Sequence, residues 1–384
     1  MLAGLALAGM GQCLAGWRAV RRFAAQGGGS ESVPAEPRAG LAGGGAQDED
    51  PWPPVLLLKP LHGDEPLLES ALASMCAQDY PRLRIVCGVQ RADDPAIAVV
   101  ERLRRRFAGV DLRLVVDATP HGANRKVANL INMMDAVPPA GPDEVVVISD
   151  SDIHAGPDWL RRVAGALAVP GVGLATTLYV GLAARGGRVE RLGCCWITHT
   201  FLPGVLLARG MGRQDCLGAT MALRAGTLAE IGGLRGLADH LADDNELGRR
   251  VRARGLGVAL AGSVPATTVA EGRLAALWRH ELRWGRTIRA LVPGAFAASA
   301  IQYPIFWALA AWAASGAAGW AAWGVVLAWA VRALAARGVD RALGHAGTGV
   351  PVGLLPVRDV LSVAVVAAAF LGRRVVWRGQ VLRA

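Results

Sequence analysis

The sequence has 384 residues, 53% of them hydrophobic, and a mean hydropathy of +0.33, too apolar for an ordinary soluble protein, so part of the chain belongs in lipid. Lys and Arg total 41 against 31 Asp and Glu, and because few of the basic residues fall inside apolar stretches, the excess suits anionic headgroups and a diphosphate at the membrane edge. With only three Tyr and six Phe for stacking and no recognisable nucleic-acid module, nucleic acid is set aside as a partner; the six cysteines, lacking C-x-x-C or zinc spacing, read as reduced cytosolic thiols.

Residues 1–22 read as a membrane anchor, since MLAGLALAGMGQCLAGW is apolar and Arg18, Arg21 and Arg22 follow it. A secretory signal carries its positive charge before the apolar region. Here the charge comes after, which puts the N-terminus outside and the next domain in the cytoplasm. The run is short for ~30 Å of hydrocarbon, so either the arginines snorkel or the true start differs from Met1. Residues 23–54, with GGGS, AGGG and QDEDPWPP, hold too few apolar groups to offset their ordering entropy and read as a flexible linker.

Residues 55–272 alternate strand and helix signals. Strands are predicted at 55–58, 83–89 and 112–116, with helices at 65–77 and 95–107 between them. This is the opening of a doubly wound, mostly parallel, nucleotide-binding α/β sheet. Asp93 and Asp94 close the second strand, where a carboxylate can accept a uracil N–H or ribose hydroxyls, or cap the helix that starts at Pro95. Lys126, in the loop before a helix carrying Asn129 and Asn132, reaches a diphosphate as a point charge in one reading and is solvated in the other.

The fourth strand, Val145-Val146-Val147-Ile148, shows no alternation, the habit of a strand buried on both faces, and it stops at Ser149-Asp150-Ser151-Asp152. Ligands bind outside the carboxyl ends of such strands, and Asp150 and Asp152 there can offer two hard oxygen ligands to Mg²⁺ or Mn²⁺ with a diphosphate. A nucleotide-sugar transferase needs that arrangement; helix capping near Pro157 would look the same. A helix at 157–167, a strand at 172–180 and a mostly apolar helix at 192–207 follow. That last helix carries His199, which either faces an acceptor or packs as a hydrogen-bonded core residue. Residues 216–223, beginning at Cys216, are a small-residue loop running into a strand. In Leu241-Ala242-Asp243-Asp244-Asn245-Glu246, Asp244 is the candidate base that takes the acceptor's proton in an inverting transfer, while Asp243 can cap the helix.

Residues 273–290 form an amphipathic interface helix. Its Arg279 and Arg283, at i and i+4, share a face suited to a leaving diphosphate or to headgroups. In the membrane region 291–384, residues 291–315 and 317–335 are long enough to span. Residues 360–371, bounded by Arg358 and Asp359 before and by Arg373, Arg374 and Arg378 after, favour a re-entrant or tilted segment, because a third full span would carry the basic tail outside.

With these pieces in order the chain resembles the ceramide glucosyltransferase family of GT-A-fold glycosyltransferases, and within it the bacterial branch associated with hopanoid biosynthesis. The resemblance covers roughly residues 53–290 and rests on DDPA (93–96), residues 126–130, SDSD (149–152), the Gly218 loop, ADDNEL (242–247) and HELRW (280–284). It implies a GT-A catalytic domain flanked by N- and C-terminal transmembrane helices, in a bacterial inner membrane and facing the cytoplasm. It further implies that Asp94 helps hold the uridine, that Asp150 and Asp152 bind the metal diphosphate, and that Asp244 is the base. Arg283 and Trp284 belong to the diphosphate and acceptor mouth, with His199 and Cys216 near the active site. The family has Gln or Arg where this chain has His280, so either His280 or Arg279 fills that place. The implied reaction is an inverting, metal-dependent transfer from a UDP-sugar to a lipid hydroxyl in the bilayer: UDP-N-acetylglucosamine to bacteriohopanetetrol, or UDP-glucose to ceramide. A non-catalytic lipid-binding or transport protein is the reading from another class; a relic of that kind has no use for a base such as Asp244.

Overall fold

The computed structural model describes residues 1–30, 52–344, 351–372, 374–377 and 380–383, so most of the stretch read as a linker, and Arg373 and Arg378 of the basic tail, lie outside the described residues. The chain forms two compact units, one of Gly27–Val180 with Gly212–Thr268 and one of Met1–Gln26, Gly181–Met211 and Val269–Ala384.

The first unit is built on seven strands: β1 (Val55–Pro60), β2 (Leu83–Val89), β3 (Asp111–Val116), β4 (Val145–Ser149), β5 (Val172–Thr176), β6 (Thr220–Arg224) and β7 (Gly257–Leu260). Their spatial order is β7-β5-β6-β4-β1-β2-β3. Every neighbouring pair is parallel except those of β6, which runs antiparallel to β4 and β5. β1 and β4 are buried at every position, as their unalternating sequences require, and they pair in register from Val55 with Val145 to Leu58 with Ile148. Successive side chains go to opposite faces. Leu57 and Val147 join Met75, Ile85 and Trp159 on one side; Leu56, Leu58 and Val146 join Val127, Leu130 and Leu247 on the other. Trp159, fully buried, is the largest plug of the first face. Trp159→Ala is expected to cost about 3–5 kcal/mol, read as a lowered midpoint in a thermal or urea melt.

β7 was not foreseen. Its GVAL is too short to separate from loop by pattern, and only pairing with β5 makes it a strand. The strand predicted at 172–180 ends in the sheet at Thr176, whose hydroxyl donates to the Thr220 carbonyl at 2.7 Å where β6 begins.

In the second unit the N-terminal helix, Leu2–Ala25, runs three residues into the stretch read as linker and packs against Pro304–Ala314 and Gly319–Ala342. Gly9 and Gly16 allow the approach, since a Cβ at Gly9 would meet the Ile301 carbonyl and one at Gly16 would stand 2.9 Å from Pro203. Among the described residues two helices are long and apolar enough to cross a membrane, Gly319–Ala342 and Val352–Ala369, and Pro293–Gln302 with Pro304–Ala314 makes a third candidate bent by 72°. The N-terminal helix, with Gln12 and its arginines, falls below that apolarity.

These assignments correct two expectations. The segment at 291–315, read as a continuous span, is broken at Tyr303, where Pro304 starts a new helix. The last segment is not a short piece beginning after Asp359. Arg358 and Asp359 lie inside its helix, both fully buried, so the charges do not end it.

Candidate active site

β2 and β3 lie to one side of β1 and β4 to the other, so the crevice outside the carboxyl ends of β1 and β4 is where connections diverge and where open α/β sheets take ligands. β4 delivers Asp150 and Asp152 into it. The Asp150 amide donates to the Ala219 carbonyl at 3.3 Å and the Ile153 amide to the Asp150 carbonyl at 3.4 Å, turning the chain at the strand end. Asp152 is anchored on its far side, accepting the Thr267 hydroxyl at Oδ2 (2.6 Å) and the Thr268 amide at its carbonyl (3.1 Å). Asp150 Oδ1 receives the Lys126 ammonium at 2.7 Å, and the same ammonium stands 3.7 Å from Asp243 Oδ2. Lys126 is held by local capping. The Asn124 side chain accepts the amides of Lys126 (3.0 Å) and Val127 (3.2 Å) and donates to the His240 carbonyl (2.8 Å). Burial alone would depress Lys126, but Asp150 and Asp243 more than reverse it, so its pKa is raised and it stays a cation.

The helix Asp243–Ala253 starts without a side-chain cap, so the capping role considered for Asp243 is not realised; the carboxylate faces Lys126 instead. Asp244 accepts the neighbouring Asn245 amide at Oδ1, at 2.7 Å. Burial first and the Asp243 charge second push the Asp244 carboxyl up to about 6, against the pull of the Asn245 amide and Lys126. A carboxylate with that pKa is ionised at neutral pH yet basic enough to accept a proton. A Cβ at Gly218 would lie 3.0 Å from Asp244 Oδ2, which gives the small residue there a physical reason. Gly218→Ala is expected to displace the carboxylate by a few tenths of an ångström and lower turnover about tenfold; steady-state kinetics beside an unchanged thermal melt would check this.

The carboxylate pair fits a divalent cation. Asp150 meets Lys126 through Oδ1 and Asp152 meets Thr267 through Oδ2, so each carboxylate has a second oxygen to offer, and burial together with repulsion from Asp150 raises the Asp152 carboxyl, a like-charge conflict that a cation would relieve. Among the described residues no three His, Cys, Asp or Glu side chains make a cage, so diphosphate and water would supply the other ligands.

Asp94 is buried and largely committed to backbone: both oxygens accept the Gly63 amide at 3.0 Å, which φ +75° at that glycine aims at them, and Oδ1 accepts the Ala96 amide at 2.9 Å. Asp93 is solvent-facing and forks with Arg91. Cys216 is buried, and burial, Asp244 and Asp243 hold its thiol protonated.

The HELRW residues lie in the other unit, on the helix Leu274–Leu291. His280 bonds Glu271 and meets the Trp284 ring edge-on at 4.5 Å, whereas Arg279 is exposed and donates to the Ala275 carbonyl one turn back on its own helix. Arg283 is half-buried. His199 sits in a π-helical turn, Ile197–Phe201, bonded to Asp340 at 2.6 Å.

Two residues escaped the sequence reading. Lys59, fully buried in β1, donates to Ser149 Oγ at 3.3 Å and to the Asp150 carbonyl; burial lowers its pKa to about 8 against the pull of Asp152, Cys87, Asp150 and Glu65. Tyr179 is held protonated by burial and by the charges of Asp244, Asp150 and Asp152. The available signals were a lone lysine closing an apolar strand and a tyrosine just past a strand end.

Comparison with known proteins bears on the fold and the family. The chain is 34% identical over 125 residues to a ceramide glucosyltransferase of Komagataella phaffii (30% of this chain, 24% of that protein). It is 23% identical over 241 residues to ceramide glucosyltransferase 1 of Caenorhabditis elegans (63% of this chain, 51% of that protein). The chain spans about a quarter and about half of these relatives' own length. Among solved structures, the mannosyltransferase PcManGT of Pyrobaculum calidifontis, in complex with GDP-Man and Mn²⁺, superposes with a TM-score of 0.51 at 18% identity, covering 96% of this chain and 99% of that one. The fold is that of the GT-A glycosyltransferases. Residues 38–384 match the profile of glycosyl transferase family 21, and the chain belongs to that family.

Proposed function

We propose that this membrane protein transfers a sugar from a UDP-sugar to a hydroxyl of a membrane lipid, with inversion at the anomeric carbon. The observation that carries the reading is the gathering of Asp150, Asp152, Lys126 and Asp243 at one sheet edge, with Asp244 next in sequence and its carboxyl raised to about 6. Asp150 and Asp152 would hold Mg²⁺ or Mn²⁺, which when bound supplies charge neutralisation to the leaving UDP. Asp244 takes the proton of the acceptor hydroxyl as it attacks, and a single displacement by that oxygen gives inversion. Lys126 remains a fixed cation beside the diphosphate. Asp94 keeps lone pairs for the uridine, and the sequence motif assigns Arg283 to the leaving diphosphate and Trp284 to the acceptor.

For the substrates, resemblance to the hopanoid branch favours UDP-N-acetylglucosamine and bacteriohopanetetrol. The names of the curated relatives support a second reading, UDP-glucose and ceramide. The test is mass spectrometry of lipids from a host that supplies both acceptors and expresses the protein or Asp244→Ala. An N-acetylhexosamine adduct on the hopanoid, lost in the variant, supports the first reading, and hexosylceramide the second. No adduct on either would turn attention to a non-catalytic lipid-binding role.

A further inference from the structure

The helix bearing Arg283 and Trp284 is fastened from behind by a charge pair inside the apolar helices. Glu281, two residues before Arg283, is 7% exposed, and both its oxygens receive Arg358, Nη1 to Oε1 at 2.7 Å and Nη2 to Oε2 at 2.7 Å. Arg358 is fully buried in the candidate span Val352–Ala369, where it also donates to Ser362 Oγ at 3.0 Å and the Leu192 carbonyl at 3.3 Å. Its neighbour Asp359 is occupied separately, by Arg332 at 3.4 Å and the Ile305 amide at 3.2 Å. One turn beyond Glu281 the same face comes so close to that span that a Cβ at Gly285 would stand 3.5 Å from Ala369 and 3.6 Å from Val365.

Desolvating two charges costs more than packing two apolar side chains of similar size, so such a pair is a poor device for stability alone. What a bidentate guanidinium–carboxylate pair supplies is direction. Residues two apart on an α-helix point about 200° away from each other, so a helix pinned at Glu281 presents Arg283 on its opposite side. We propose that Glu281 and Arg358 are positioning residues: their pair sets the rotation of the Leu274–Leu291 helix and thereby aims Arg283. The inference rests on the assignment of Arg283 to the leaving diphosphate.

The experiment measures UDP affinity in the presence of Mn²⁺, by calorimetry on the full chain in phosphatidylcholine nanodiscs. Glu281→Gln and Arg358→Met are each expected to weaken UDP binding about tenfold, the scale of a misplacement well under an ångström. In an Arg283→Ala background Glu281→Gln is expected to add nothing, because the lost contact is the same one. The charge swap, Glu281→Arg with Arg358→Glu, is expected to recover most of the affinity. The apolar pair, Glu281→Leu with Arg358→Met, is expected to stay folded by thermal melt yet bind UDP as weakly as the single variants. Should the apolar pair bind UDP like the parent protein while Arg283→Ala binds weakly, the pair is structural only and the proposal is overturned. Unchanged UDP affinity in Arg283→Ala would instead sink the diphosphate assignment itself.

Discussion

Replacing Asp244 with asparagine is expected to lower turnover by about 10²–10⁴-fold while leaving the thermal melt and UDP binding unchanged. The carboxamide keeps the shape and can still accept the Asn245 amide, but it takes no proton. The same residue fixes the pH response. Its carboxyl is held up near 6, so as pH falls through that value the base becomes protonated, and kcat/KM drops tenfold for each further unit. Above it the profile is flat with respect to this group. Measured from pH 4.5 to 8, roughly the window in which a carboxylate of this kind titrates, the parent should show the acid limb and Asp244→Asn should not. A parent profile with no acid limb near 6 would remove Asp244 from the role.

Asp152→Asn is expected to reduce turnover by on the order of 10²–10³-fold and to abolish the gain in UDP affinity that Mn²⁺ confers, both read on the same preparation by kinetics and calorimetry. Asp152 is gripped by the Thr267 hydroxyl at Oδ2 and, through its main-chain carbonyl, by the Thr268 amide, so its other carboxylate oxygen is aimed before any ligand arrives. Thr267→Val, which leaves the carboxylate but loosens it, should cost less, about tenfold in metal affinity. UDP affinity unaffected by a chelator would contradict the assignment of this pair.

The apolar runs of β1 and β4 were legible because parallel strands buried on both faces leave few alternatives, and the D-x-D stood out because it ended one of them. Helix and strand spacing gave the order of the first three strands for the same reason. What could not be read depended on partners far along the chain. Asp94 looked equally like a nucleotide ligand and a cap until Gly63, 31 residues earlier, was seen to bond it. Arg358 and Asp359 looked like the edge of a membrane segment because their compensating charges, Glu281 and Arg332, lie 77 and 27 residues away. Lys59 is not legible because a charge after an apolar run reads as the end of a strand, and its partners, Ser149 Oγ and the Asp150 carbonyl, lie some 90 residues on. The raised carboxyl of Asp244 likewise arises from enclosure and from Asp243, neither of which a one-dimensional pattern measures.

The pairing of the N-terminal helix with Pro304–Ala314 and Gly319–Ala342 has a consequence in time. The helix Leu2–Ala25 has its packing partners about 300 residues downstream, and at ~5–20 residues per second it waits roughly 15–60 s for them. During that interval its glycine faces have only lipid or a chaperone to lie against. Assembly of the second unit, which joins segments far apart in the sequence, is therefore a late event, whereas the parallel strands around β1 can already pair well before it.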